Sequence, residues 1–301
     1  MPSPPIPYRG RFAPSPSGAL HFGSLIAAVA SYLDARCHQG TWLVRMEDVD
    51  EGRNQAGAAD DILFTLEHYG FEWDEAVIYQ TQRKQAYAQA VNHLFEKGLA
   101  YRCTCSRREL VAQARTGSFG PIYPGTCRDK HHPVSARHAI RIHTTDTPVE
   151  FTDRLMGHQQ QNLQRELGDF IIRRRDGFFA YQLAVVVDDE AQQVNQVVRG
   201  HDLLDSTARQ IYLQRCLGYA ESQYLHLPIA LNPDGEKLSK QTHAPPISKK
   251  SAAPNLYRAL KFLGQQPPAD LQRDSLGYIW QWSAENWDSN KIPAQSSIDE
   301  Y

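Results

Sequence analysis

Long apolar runs are missing from this 301-residue chain. None approaches the ~18 residues that a helix needs to span a bilayer. The opening, Met1-Pro2-Ser3-Pro4-Pro5-Ile6-Pro7, lacks the basic n-region and apolar h-region of a secretory signal. These two absences set the expectation of a cytoplasmic protein. A charge excess is missing as well: 32 Lys and Arg stand against 34 Asp and Glu, for a formal net charge of −2. That excludes a globally basic nucleic-acid binder, though a single basic face would suffice for RNA contact. Cysteine is scarce, and its count of five is odd. Such usage argues against a disulfide framework and for a metal site in the Cys103, Cys105, Cys127 cluster. Cys37 and Cys216 are then expected to be small buried thiols on helices. No segment repeats another.

With 41% hydrophobic and 22% charged residues, the chain suits one large α/β domain with an insertion, or two small domains. Tyr8 to Ala13 reads as a strand that ends in the turn Pro14-Ser15-Pro16-Ser17-Gly18. Helical period follows from Phe22 to Arg36, and Thr41 to Met46 alternates like a strand. Gln55 to Tyr69 and Gln82 to Gly98 are helical by period and length. This order, strand, Gly-containing turn, helix, strand, predicts a parallel α/β unit with its ligand at the strand carboxyl ends. From Tyr101 to His132 helical period fades, which predicts an inserted subdomain. Arg175-Asp176-Gly177 reads as a hairpin turn, Gln193 to Arg199 as a strand and Ser206 to Leu217 as a helix. Ala244 to Pro254 is expected to be a loop. Two helices, near Asn255–Leu263 and Leu271–Glu285, and a loosely held polar tail complete the reading.

Two short segments carry nucleotide chemistry. His21-Phe22-Gly23-Ser24 opens a helix directly after the turn. Gly18 and Gly23 remove side chains where a flat ligand or phosphate must come close. The helix N-terminus offers free amide donors with a partial positive charge, and His21 adds an imidazole donor. Far along the chain, Lys237-Leu238-Ser239-Lys240-Gln241 follows Asn232-Pro233-Asp234-Gly235. Its two lysines and serine can close over a triphosphate and stabilise charge at the departing pyrophosphate.

The segment Arg11 to Gly18, the run Arg45-Met46-Glu47-Asp48-Val49-Asp50, and the two segments above together resemble class I aminoacyl-tRNA synthetases of the glutamate and glutamine branch. Phe179 to Asp189 and Val198 to Thr207 extend the resemblance, which covers about Arg9 to Lys250. It implies a Rossmann-like α/β catalytic domain: a nucleotide-binding half over 8–100, a zinc-binding insertion over 101–132 and a second catalytic half over 133–250 with the Lys237–Gln241 loop. A short helical region over 251–301 would follow. By position it implies that Arg11, Phe12, Ala13, Pro14, Ser15, Glu47, Tyr181 and Arg199 bind L-glutamate. Arg11 and Arg199 would face carboxylate, with Glu47 on the ammonium group. ATP, with Mg²⁺, would be held by His21, Gly23, Lys237, Ser239 and Lys240, and His21 and Lys240 are the expected catalytic groups. Adenylate formation is an attack by the substrate's own carboxylate, so no Ser-His or Cys-His pair is assigned.

Three thiols suit Zn²⁺ in a tetrahedral site, and spacing alone leaves the fourth ligand open among Tyr123, His131 and His132. The resemblance, closest here to tRNA-modifying relatives of the glutamyl-tRNA synthetases, implies Tyr123 and one structural Zn²⁺ per chain. It also bears on the acceptor. About fifty residues after Lys250 are too few for the helical anticodon-binding domain of a full glutamyl-tRNA synthetase. The resemblance to the truncated branch implies transfer of glutamate to queuosine at the wobble position of tRNA(Asp). Arg107-Arg108, Arg173-Arg174-Arg175 and Lys249-Lys250 are candidates for phosphate contact.

Overall fold

The structure is a computed structural model and describes residues 6–117, 119–232, 235–238 and 245–299. Strand β1 (Arg9–Phe12) runs into the Pro14–Gly18 turn and helix α1 (Phe22–Cys37), and β2 (Thr41–Met46) returns parallel to β1 with Arg11 opposite Leu43. Helix α2 (Ala58–His68) leads to the short parallel strand β3 (Ile78–Tyr79), then α3 (Lys84–Glu96). The chain next leaves this sheet through β4 (Ala100–Cys103), α4 (Arg107–Gln113) and the antiparallel pair β5 (Arg115–Gly117) and β6 (Gly120–Ile122). β4 pairs antiparallel with β7 (Ala139–Ile142), which pairs in turn with β10 (Ile171–Arg173), and β8 (Val149–Asp153), β9 (Gly157–Gln161) and α5 (Leu163–Glu166) lie between those two in the chain. Helix α6 (Tyr181–Ala191), β11 (Gln196–Gly200), α7 (Leu204–Leu217), β12 (Gln223–Leu227) and β13 (Ile229–Leu231) follow. Helices α8 (Ala252–Phe262) and α9 (Leu276–Asn286) and strand β14 (Ser297–Asp299) end the described chain.

Two sheets, β1-β2-β3 and β11-β12-β8-β9, lie side by side where β1 meets β11. There the Asn195 amide donates to the Arg9 carbonyl at 3.1 Å, and the Arg9 amide donates to Asn195 Oδ1 at 3.0 Å. From β1 the chain steps outward to β2; from β11 it steps the other way to β12. The strand order reverses between β1 and β11, and in open α/β sheets ligands bind in the crevice at the carboxyl ends of such a pair.

Strand parity sorts the side chains. Phe12, Trp42, Val44, Met46 and Val198 enter one core with α1, α8 and α9. Leu43, Val197 and Tyr224 enter a second core with α3, α6 and α7. Arg11, Arg45 and Arg199 sit at the parity of this second face, so three buried cations project toward α6 and α7 rather than toward α1.

Several expectations shift. The 101–132 segment, where helical period fades in the sequence, holds a helix, α4, started by a capping box between Ser106 and Glu109. Ala244–Pro254 is not all loop: α8 begins at Ala252, with Pro254 in its first turn, where a missing N–H has no intrahelical partner to lose. The tail is partly held, because β14 pairs in parallel with β13, Ile229 opposite Ser297. Cys37 is exposed at the last residue of α1, where its Sγ donates to the Asp34 carbonyl, and Cys216 is only half-buried. No helix among the described residues is long and apolar enough to cross a membrane.

Candidate active site

The carboxyl ends of β1, β2 and β11 and the first residue of α6 converge on one polar pocket. Arg11 is 3% exposed and directs its Nε and Nη2 to the two oxygens of Asp189 on α6, at 3.1 and 3.5 Å. Arg45 is fully buried; its Nη2 donates to Asp189 Oδ1 at 2.7 Å and its Nη1 to Gln192 Oε1 at 2.7 Å. Burial opposes the charge on Asp189, yet Arg11 and Arg45 hold its carboxyl below the ordinary range. Arg11 thereby keeps one guanidinium edge clear for a second carboxylate, which is the geometry for fork-to-fork pairing.

Glu47 stands one residue past β2, 3.5 Å from Arg45 Nη2, with its backbone N–H donated to the Pro14 carbonyl at 3.0 Å. Burial pushes its carboxyl up, against the pull of Arg45 and Arg11. A buried carboxylate so placed gains from an incoming ammonium. Tyr181 is raised by burial and by Glu47, while Arg199 and Arg11 act the other way, so its hydroxyl lies in the common field of the predicted glutamate group. Arg11, Glu47, Tyr181 and Arg199 are therefore brought together.

Arg199, expected to face carboxylate, has most of its donors engaged within the protein. Its Nε donates to His226 Nε2 at 3.0 Å, Nη1 to Gln210 Oε1 at 2.8 Å, and Nη2 to Thr207 Oγ1 at 2.8 Å and the Leu203 carbonyl at 3.3 Å. Four of the roughly five N–H donors of a guanidinium are committed, leaving one for a ligand. His226 is wholly buried, and its Nδ1 donates to Asp153 Oδ2 at 2.7 Å. Burial lowers the imidazole to about 4, against the Asp153 carboxylate, so Nε2 keeps the lone pair that Arg199 needs. Phe12 offers the pocket only its backbone, because its ring stacks on Trp42 in the opposite core. Pro14 and Ala13 are half-buried and Ser15 is exposed at the turn.

The two nucleotide segments meet. His21 is the N-cap of α1 and accepts from the Ser24 amide through Nδ1 at 3.3 Å. A Cβ placed on Gly23 would lie 3.2 Å from both the His21 ring and the Leu238 carbonyl. Glycine is thus the residue that lets the Lys237–Leu238 strand pass over the helix start. Lys237 Nζ is 2.5 Å from Asp202 Oδ2, and His21 bridges to Pro246 on the far side of the loop. Ser239, Lys240 and Gln241 lie outside the described residues.

In the insertion, Cys103, Cys105 and Cys127 place their sulfurs within 4.8 Å of one another. Tyr123 Oη is 3.5 Å from Cys103 Sγ and accepts the Cys127 amide at 3.0 Å. Burial opposes a Cys127 thiolate, but hydrogen bonds from the Thr104 backbone, Cys105, His132 and Tyr123 bring this thiol down to about 6, whereas burial pushes Cys105 up to about 12. Closely set thiols that share protons are a donor set a soft cation would deprotonate and hold. His132 reaches Cys127 and Thr104 but does not come within 4.8 Å of all three sulfurs. His131 is exposed.

Sequence reasoning named the pocket but missed the residues that hold it: Arg45, Asp189, His226 and Gln210. The signal was present. Trp42-Leu43-Val44-Arg45-Met46 and Tyr224-Leu225-His226-Leu227 each place one polar side chain in an otherwise apolar strand, and such a group, once buried, must have a partner.

A family profile described as "tRNA synthetases class I (E and Q), catalytic domain" matches residues 8–255, and the chain belongs to this family. More particularly, it is 56% identical over 294 residues to the glutamyl-Q tRNA(Asp) synthetase of Dechloromonas aromatica (strain RCB), covering 97% of this chain and 98% of that one. It is 53% identical to the protein of the same name from Pseudomonas aeruginosa (strain LESB58), again over 97% and 98% of the two chains. The fold is that of the glutamate–tRNA synthetase from Elizabethkingia anophelis, with a TM-score of 0.81 at 23% identity over 98% of this chain and 68% of the other.

Proposed function

We propose that this enzyme activates L-glutamate with ATP and transfers it to queuosine in tRNA(Asp). The observation that carries the reading is the convergence of Arg11, Glu47, Tyr181 and Arg199 at the carboxyl ends of β1, β2 and β11. The relatives' name supplies the acceptor.

In the first step a glutamate carboxylate oxygen attacks the α-phosphorus of ATP and pyrophosphate leaves. Glu47 holds the ammonium, the clear edge of Arg11 takes a carboxylate, and Tyr181 and the remaining N–H of Arg199 complete recognition. His21, the Gly23 amide region, Lys237, Ser239 and Lys240 steady the phosphates, with Mg²⁺ accompanying ATP. In the second step a hydroxyl oxygen of the queuosine cyclopentene-diol attacks the adenylate carbonyl, releasing AMP and a proton. Catalysis is positioning and electrostatics, without a protein nucleophile. The reading is of a cytoplasmic enzyme, where glutamate, ATP and tRNA meet. Cys103, Cys105, Cys127 and Tyr123 would hold a Zn²⁺ whose contribution is to clip the insertion together.

Glutamate transfer to tRNA(Asp) with and without queuosine tests the reading. Labelled glutamate should appear only on the queuosine-containing tRNA and should resist removal of the terminal adenosine. Equal labelling of both tRNAs, or labelling of tRNA(Glu) instead, would overturn it.

A further inference from the structure

Beside the pocket, four separate segments enclose a groove of about 760 Å³. Its walls carry Arg102 from β4, Arg137 and His138 from the approach to β7, and Arg173, Arg174 and Arg175 from the hairpin after β10. Five arginines and a histidine face one carboxylate, Glu96 on α3. In a chain of net charge −2 this is a local concentration of one sign. Arg174 is paired with Asp50 and Asp176. Among the described residues, Arg102 and Arg137 are in no ion pair, and Arg175 lies in the field of Glu109 alone. Three of the cations are held over aromatic faces: Arg102 lies 5.0 Å from the Phe95 ring, Arg173 5.6 Å from the Phe179 ring and Arg174 5.7 Å from the Phe178 ring. Like charges gathered in excess of their counter-charges repel one another, and a polyanion relieves that excess.

The groove is tied to the active site at two points. Arg174 Nη1 reaches Asp50 Oδ1 at 3.2 Å, on the loop that follows β2 and Glu47. Arg173 bridges to Phe179, two residues before Tyr181. A polymer seated in the groove is thereby registered against the glutamate pocket.

We propose that this groove is an RNA docking surface that takes the phosphodiester backbone of the acceptor tRNA away from the nucleotide that reacts. The proposal rests on the tRNA-acceptor reading above. Planar guanidinium forks suit phosphate oxygens, and phosphate contacts fix register without reading sequence. Of the runs singled out in the sequence, only Arg173–Arg175 belongs to the groove; Arg102, Arg137 and His138 join it through the fold.

The test uses the full chain with Arg137→Glu and Arg175→Glu combined, both being exposed side chains. Glutamate-dependent ATP–pyrophosphate exchange without tRNA should stay within about twofold of wild type. The kcat/KM for transfer to queuosine-containing tRNA(Asp) should fall at least tenfold, through KM. The milder Arg137→Gln, Arg175→Gln pair should reduce the slope of log binding constant against log salt by about 1.4, two phosphates at roughly 0.7 each for single-stranded RNA. Fluorescence anisotropy with a labelled tRNA transcript checks binding apart from transfer. An unchanged Kd in the charge-reversed protein overturns the groove. Absence of transfer by the wild type, with binding still lost in the variant, overturns the acceptor reading and leaves the groove standing. Tighter displacement by an acidic peptide than by RNA would assign the groove to a protein partner and refute the proposal.

Discussion

At the scale of single residues, Arg199 is held by His226, and His226 is held by Asp153. His226→Ala would leave Arg199 Nε and Asp153 Oδ2 without their partners in a buried site. We expect the KM for glutamate to rise at least tenfold in pyrophosphate exchange while the KM for ATP changes little; equal changes in both would point to a general loss of structure. His226 also gives a pH signature. Its imidazole is lowered by burial from 6.5 to about 4, so between those values the unfolded chain binds a proton that the folded one refuses. Stability therefore falls as pH drops through this window, by at most about 3 kcal/mol from this one group. Urea midpoints measured from pH 7 to 4 should decline less steeply in His226→Gln than in wild type. Arg11, Glu47, Tyr181 and Arg199 were legible in the sequence because each sits in a recognisable run. Their supports were not, because partnership between Arg45 on β2 and Asp189 on α6 depends on which sheet face α6 covers. That is a property of packing, not of either segment.

At the scale of elements, the main α/β units were legible from period and turn residues, as α1 and β2 show, with only their ends shifting. The insertion was harder, since α4 is a single capped turn and more, and β5 and β6 are three residues each, too short to display a period. What orders this subdomain is contact. Asp169 accepts from Tyr101 Oη at 2.6 Å, from the Thr144 amide at 2.7 Å and from Arg128 Nε at 2.8 Å, which pins the insertion to the strands around it. Gly168 fits directly against Tyr123: at φ +70° a Cβ would fall 2.3 Å from the Tyr123 carbonyl oxygen, so any other residue displaces the backbone there. We expect Gly168→Ala to lower zinc content and Cys127→Ala to abolish it, both by elemental analysis of the purified protein. Pyrophosphate exchange should survive in each, because the pocket residues lie on other elements. Full zinc retention in Cys127→Ala would refute the ligand assignment.

At the scale of the whole molecule, the pocket straddles a seam. Arg11 on β1 and Glu47 just past β2 come from the β1-β2-β3 side; Tyr181 and Arg199 come from α6 and from the sheet that begins with β11. The seam between β1 and β11 carries the Arg9–Asn195 hydrogen bonds, and Arg11 on β1 is also paired with Asp189 on α6, the helix that leads into β11. In the proposed binding mode glutamate would be gripped from both sides and would add a further tie across it. A ligand that binds only the folded state contributes about 2.7 kcal/mol at a hundred times its Kd, which for a chain of this size corresponds to a few degrees in Tm. Glutamate should therefore raise Tm by that amount, and glutamine, which lacks the second carboxylate for the arginines, by clearly less. Hydrogen exchange should show the amides of β1 and β11 gaining protection together when glutamate is added. Protection confined to one of the two sheets would mean that the substrate sits on one side of the seam and that Arg11 and Arg199 do not share it.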